Sequence, residues 1–213
     1  MRNLITVISI AVFASVASAQ ISLDINSFAT PATVDALSPI AADAYVTNEL
    51  NFDCTSDWLS GVIEVIPTGG GIYQHAVGGI TTAAPMGTLM AVYGGLQYDT
   101  YVSNGVVDEL VSTAAAGDPG WDYSAIVFDT SKLAITWYTS DTDDTGILKL
   151  AQVTLEDTCQ GTWRASVTAS PSGGPAVTVT GGQIVNGVML IPEPATMSLL
   201  AIGGLGLLIR RKR

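Results

Sequence analysis

In the stretch Leu133-Ala-Ile-Thr-Trp-Tyr-Thr139, large apolar residues stand at every second position. Successive side chains of a β-strand point to opposite faces, so Leu133, Ile135 and Trp137 share one face. This pattern is typical of a strand that buries one face against a hydrophobic core. We therefore predict a half-buried β-strand here, and an all-β fold if the neighbouring segments share this character.

Runs rich in β-branched and aromatic residues recur along the chain, separated by Gly, Pro, Asn and Asp. The further strands predicted from them are residues 44–50, 58–66, 72–76, 89–93, 97–102, 123–128, 147–155, 163–169, 176–180 and 183–190. Between residues 20 and 190 a helix is predicted only for residues 107–116, and residues 20–39 are predicted as a loose lead-in. The predicted fold class is an antiparallel β-sandwich, jelly-roll-like or cohesin-like in architecture.

Residues 1–19 have the pattern of a secretory signal peptide. Arg2 supplies the positive start, residues 4–16 are apolar, and Ala17-Ser-Ala19 forms an A-x-A cleavage site. We predict a signal-peptide helix, export through the Sec translocon, and cleavage between Ala19 and Gln20. The alternative is an N-terminal membrane anchor, but the apolar run is short and the cleavage site follows it directly.

Residues 191–213 carry three features in series: Pro192-Glu193-Pro194, an uncharged run over residues 195–209, and the basic cluster Arg210, Arg211, Lys212 and Arg213. As a helix the uncharged run is about 22 Å long, against about 30 Å for the core of a bilayer. The basic cluster should remain on the cytoplasmic side. We predict a C-terminal transmembrane-like helix that anchors the chain transiently in the inner membrane.

This tail resembles the PEP-CTERM sorting signal. The resemblance implies that an exosortase in the inner membrane of a Gram-negative, exopolysaccharide-producing bacterium recognises Pro192, Glu193 and Pro194 and processes the tail. It also implies final placement at the cell surface or outside the cell. An ordinary tail anchor is the alternative. The body between the two ends is similar only in architecture to exported β-sandwich domains.

The body, residues 20–190, is strongly acidic. It holds 18 of the 19 acidic residues but only three of the eight basic ones, Lys132, Lys149 and Arg164. Three positive against eighteen negative charges give the body a formal charge of −15. Such a surface excludes nucleic-acid binding, because nothing on it would neutralise phosphates. The body is long enough for one domain with a full hydrophobic core.

Two cysteines, Cys54 and Cys159, lie in the body. An exported chain meets an oxidising compartment, so we predict that they form one disulfide. Closing so long a loop could stabilise the protein by about 4–5 kcal/mol in the chain-entropy model. Two free thiols are the alternative.

A possible cation site lies in Asp141-Thr-Asp143-Asp-Thr145-Gly146, where carboxylates alternate and a glycine stands sixth, as at the start of a calcium loop. The twelfth position is Gln152 instead of a bidentate glutamate. We therefore predict at most a weak calcium site at Asp141, Asp143 and Thr145, with an acidic hairpin connection as the alternative. No other cofactor is predicted.

Catalytic motifs are absent from the sequence. His75 is the only histidine, and there is no nucleophile elbow, Walker loop or dinucleotide fingerprint. We predict a structural His75 and a non-enzymatic surface or extracellular-matrix protein that contacts exopolysaccharide or other envelope components. The alternative is a secreted carbohydrate-binding module or carbohydrate-active enzyme with Trp58, Trp121 and Trp137 as sugar platforms. Buried aromatic side chains would argue against that alternative.

Overall fold

The structure is a computed structural model that describes residues 22–54, 58–77, 85, 87–105, 112–114, 127–138, 146–169 and 176–191. The predicted signal-peptide helix, the transmembrane-like helix over residues 195–209 and the calcium ligands at 141, 143 and 145 all lie outside these residues. Within the described ranges, no helix combines the length and the hydropathy of a membrane span.

The described chain is mostly β-strand. In chain order the strands are β1 (Ser22–Ala29), β2 (Tyr45–Cys54), β3 (Trp58–Gly69), β4 (Tyr101–Gly105), β5 (Ser112–Ala114), β6 (Val127–Phe128), β7 (Leu133–Tyr138), β8 (Gly146–Glu156), β9 (Gln160–Ala169), β10 (Ala176–Val185) and β11 (Val188–Met189). A short helix, α1 (Gly87–Met90), and a 3₁₀ helix (Gly94–Tyr98) precede β4.

The strands form two antiparallel sheets. The smaller sheet has the order β1-β2-β8-β4, and the larger has the order β11-β10-β9-β3-β7-β5, with β6 also paired to β7. One hydrophobic core lies between them, since its buried residues come from both sheets. This arrangement confirms an all-β antiparallel fold and fits the predicted sandwich.

The alternation in β7 has the predicted consequence. Leu133, Ile135 and Trp137 are at most 2% exposed and belong to the core. They face Leu50 and Phe52 of β2 and the inward residues of β8 within the same cluster. The half-buried strand predicted for this stretch is therefore confirmed.

Five predictions of local structure were wrong in whole or in part. Residues 72–76 contain only an isolated bridge at Ile72 instead of a strand. Within the loose lead-in predicted over residues 20–39, residues 22–29 form strand β1, which pairs with β2 in unbroken register. Residues 89–93 form the end of α1 and a turn instead of a strand, and residues 97–98 end the 3₁₀ helix. Within 107–116, the described part is strand β5 instead of helix.

The last two strands form a hairpin. The segments predicted separately as 176–180 and 183–190 are one long strand, β10, followed by the two-residue strand β11. Asn186 and Gly187 join them with φ angles of 52° and 75°. Two successive positive φ values characterise a type I′ turn, whose twist matches that of an antiparallel hairpin.

The predicted disulfide between Cys54 and Cys159 is wrong. In the antiparallel pairing of β2 with β8, Cys54 lies opposite Gly146, whereas Cys159 follows Glu156 at the other end of β8. Ten strand residues separate those ends, or about 30 Å at ~3.3 Å per residue. A disulfide requires Cα atoms within about 7 Å. Cys159 is instead a free, buried thiol.

Cys159 is expected to resist alkylation in the folded protein. The residue is 0% exposed, and burial, with a smaller contribution from the Glu156 carboxylate, raises the pKa of its thiol to about 11. A Cys54→Ser variant isolates this thiol. Intact mass after iodoacetamide treatment near neutral pH should show no adduct on the folded variant and one adduct after denaturation. Rapid labelling of the folded variant would contradict the buried position.

Candidate functional site

Loops cover the outer face of the smaller sheet. Thr47, Gln152 and Thr154 alternate with core residues along β2 and β8, so they point out of the sandwich. Each is nevertheless at most 4% exposed. Thr30 Oγ1 lies 2.8 Å from Thr47 Oγ1, and Gln152 Nε2 donates to the main-chain oxygen of Gln97 at 2.9 Å. The loop after β1 and the 3₁₀ helix are therefore fastened onto this face.

A histidine and a carboxylate connect the segments that cover this face. His75 Nε2 lies 2.9 Å from Asp35 Oδ2, and both side chains are 0% exposed. The same Oδ2 accepts from the Gly95 amide at 3.1 Å, while Oδ1 accepts from the amides of Leu37 and Ser38 at 2.9 and 3.2 Å. Asp35 thus ties the loop after β1, the segment after β3 and the 3₁₀ helix to one point.

The hydrogen bonds define the protonation of this pair. The Val77 amide donates to His75 Nδ1 at 3.0 Å, so that nitrogen is an acceptor and the proton of the neutral ring lies on Nε2. His75 therefore donates to an ionised Asp35. The Leu37 amide, aided by the other three donors, holds the pKa of Asp35 well below its usual range against the opposing effect of burial.

A second buried carboxylate, Asp99, lies on the other side of His75. Its Oδ1 accepts from the main-chain amides of His75 at 2.8 Å and Thr100 at 3.0 Å. Asp99 is 1% exposed, and burial raises its pKa to about 7 despite these two bonds. Asp99 therefore changes charge within the physiological pH range.

The Asp35–His75 pair is structural. A general base must come within hydrogen-bond reach of a substrate, and neither side chain has any surface exposure. The burial of His75 and its contact with Asp35 fit the structural role predicted for it. Its partner Asp35 was missed, although Asp-Ala-Leu-Ser38 is typical of a turn in which the carboxylate accepts from the following amides. No cluster of three metal-ligating side chains occurs among the residues described.

All three cations of the body are bound to carboxylates. Lys132 Nζ lies 3.1 Å from Glu64 Oε1, and Arg164 Nε lies 2.6 Å from Glu64 Oε2. Lys149 pairs with Glu49. Lys132, Lys149 and Arg164 are the only basic residues between 20 and 190. Each cation of the body is therefore neutralised at least in part by a neighbouring carboxylate.

The predicted sugar platforms are not supported where the side chains are described. Trp137 is 2% exposed, and its Nε1 donates to the main-chain oxygen of Ser103 at 2.7 Å. A buried indole cannot stack on a ligand, so the platform role proposed for Trp137 is wrong. The Trp58 side chain and all of Trp121 lie outside the described part of the structure.

The tail leaves the body from the edge of the larger sheet. After β11, the Leu190 amide donates to Gln183 O at 2.9 Å, and Trp163 Nε1 donates to Leu190 O at 3.1 Å. Just before it, the Met189 amide donates to Asn48 Oδ1 at 3.0 Å. Ile191 is then 41% exposed. The predicted motif at 192–194 and the basic cluster at 210–213 follow outside the described residues.

Comparison with known proteins identifies this tail. Residues 190–213 match the family described as the PEP-CTERM protein-sorting motif. The match begins at Leu190, the residue where the last hydrogen bonds to the larger sheet are made. No curated protein matches the chain.

Proposed function

We propose, on the premise that its PEP-CTERM segment makes this chain an exosortase substrate, that the protein is a non-enzymatic component of the cell surface or extracellular matrix. The Sec translocon exports it, the tail holds it transiently in the inner membrane, and an exosortase then processes the tail. The observation that carries this proposal is the match over residues 190–213.

The position of the tail suits presentation to a membrane enzyme. Leu190 is fixed by two hydrogen bonds to the larger sheet, and only Ile191 separates it from Pro192. The two prolines favour an extended backbone around Glu193. Because Pro194 directly precedes residue 195, we expect the motif to lie next to the bilayer whenever residues 195–209 are inserted.

A non-catalytic role for the body is supported by the state of its ionisable groups. The side chain of the single histidine is fully buried beneath the loops over the smaller sheet. The three cations of the body are paired with Glu49 and Glu64. Each of these groups makes contacts within the fold. An acidic surface of this kind favours a soluble, well-dispersed passenger in the matrix.

Serine replacement of Arg210, Arg211, Lys212 and Arg213 is expected to release uncut precursor into the periplasm. Without the basic cluster, the 195–209 run has too little apolar length and no charge bias to remain in the bilayer. The matched control replaces the three arginines by lysine, keeps the charge, and should sort normally. A tag on the body, followed by fractionation and mass measurement, reports both outcomes.

Alanine replacement of Pro192, Glu193 and Pro194 should leave full-length protein in the membrane, because the enzyme loses its extended recognition motif. The same blots in exosortase-null cells provide the reference. If the mature protein keeps Arg213 and fractionates identically with and without exosortase, the tail is a plain anchor and the proposed function is wrong.

A further inference from the structure

Two clefts meet at Tyr45, the first residue of β2. One, of about 690 Å³, is lined by residues that include Asp43, Asp157 and Asn186. The other, of about 520 Å³, is lined by residues that include Glu156. Tyr45 lines both, and the two neighbouring clefts together are named here the Tyr45 groove. Each half lies within the range of about 300–1,000 Å³ typical of ligand sites.

The Tyr45 groove crosses the end of the sandwich where the turns lie. Asp157 belongs to the β8–β9 turn, Asn186 to the β10–β11 turn and Ser131 to the β6–β7 turn. Because β11 is antiparallel to β10, it runs away from this end towards the tail.

Tyr45 is held in place as an aromatic surface. The Tyr73 ring packs edge-on against it, with centroids 5.0 Å apart and planes at 64°. Tyr73 is itself fixed, since its hydroxyl donates to Ser38 O at 3.0 Å. The C–H groups of a sugar ring carry partial positive charge and pack against the negative face of an aromatic ring. A partly exposed tyrosine that lines two clefts suits a chain of sugar rings.

The charged side chains among the lining residues of the groove are all carboxylates. Carboxylates of Asp43 and Asp157 line one cleft and that of Glu156 the other. No lysine or arginine is among the lining residues, and the three cations of the body are paired elsewhere. Sugar hydroxyls donate strongly to carboxylates, whereas uronic acids or sulfated sugars would be repelled.

We propose that the Tyr45 groove binds an uncharged polysaccharide chain, with Tyr45 as the stacking surface and the surrounding carboxylates and amides as partners of its hydroxyl groups. The inference rests on the proposed function only in supposing that the exported body meets polysaccharide outside the cell. It assigns the contact to residues different from the tryptophans of the sequence-based alternative.

Affinity electrophoresis of the exported protein tests the proposal. Native gels containing dextran, hydroxyethyl cellulose or galactomannan supply the neutral probes, and alginate supplies the anionic one. We expect retardation by a neutral polymer and none by alginate in the presence of a chelator. Tyr45→Ala should weaken the retardation about tenfold or more, Tyr45→Phe should preserve it, and Val92→Ala, at an exposed position outside the groove, should leave it unchanged.

A second variant separates binding from folding. A Cβ added at Gly71 would lie 3.3 Å from Thr130 O and 3.6 Å from Glu156 Oε1, inside the smaller cleft. Gly71→Ala should therefore weaken binding even if Tyr45→Ala is poorly folded. Retention of full affinity in both folded variants overturns the site. Binding of alginate alone, and only with calcium, overturns the choice of an uncharged ligand. Failure with every neutral polymer overturns the inference while leaving the sorting experiments unaffected.

Discussion

Trp137→Ala is expected to lower the free energy of unfolding by about 3–5 kcal/mol, the range for truncating a large buried aromatic side chain. The indole is 2% exposed and belongs to the core cluster. Its Nε1 donates to Ser103 O at 2.7 Å, which joins β7 of the larger sheet to β4 of the smaller one. The substitution removes both the packing and a polar link between the sheets. Urea denaturation measures the change.

Two further variants divide this effect. Trp137→Phe keeps an aromatic ring but removes the donor to Ser103, so it should cost part of the loss, about 1–3 kcal/mol for a buried carbonyl left without its partner. Gly61→Ala keeps the indole but places a Cβ 2.6 Å from its Cζ2, so it should destabilise by overpacking. A loss below about 1 kcal/mol in Trp137→Ala would mean that the indole is not a core residue.

Stability is also expected to fall as the pH rises from about 4 to about 7 because of Asp99. Burial raises its pKa from an ordinary 3.8 to about 7 in the folded protein. Between these values the folded chain keeps a proton that the unfolded chain has lost, so the free energy of unfolding decreases with rising pH. A shift of about three pKa units corresponds to about 4 kcal/mol.

Asp35 has the opposite dependence. Its pKa is held below the usual range in the folded state, so its contribution is complete above that range and is lost as the pH falls below about 4. Asp99→Asn retains an acceptor for the amides of His75 and Thr100 but has no proton to lose. The urea midpoints measured near pH 4 and near pH 7 should therefore differ much less in this variant than in the unmodified protein. If stability falls equally with rising pH in both proteins, Asp99 is not the cause of the decrease.

The parts of the fold that could be predicted are those with a local signal. The alternation of Leu133, Ile135 and Trp137 marks a strand by itself, and the PEP-CTERM tail is contiguous in sequence. Strand β1 was missed because its Ser- and Asn-containing sequence is typical of a loop. It becomes a strand through pairing with β2, which is a tertiary effect.

The sequence could not predict which distant residues lie close together in the fold. Cysteine number and compartment favoured a disulfide, but only the register of β2 on β8 shows that Cys54 and Cys159 lie at opposite ends. Asp35 and His75 are 40 positions apart, and two loops must fold over the sheet before they meet. The Tyr45 groove likewise combines residues from several turns, none of which has a distinctive motif.

The attachment of β11 has a mechanical consequence. Tension on a tethered tail first reaches Leu190, which is bonded to Gln183 and Trp163 of the larger sheet. One residue earlier, Met189 is bonded to Asn48 of the smaller sheet and buried in the core. A pull on the tail is therefore divided between both layers of the sandwich, so it loads the domain as one body instead of peeling one sheet from the other.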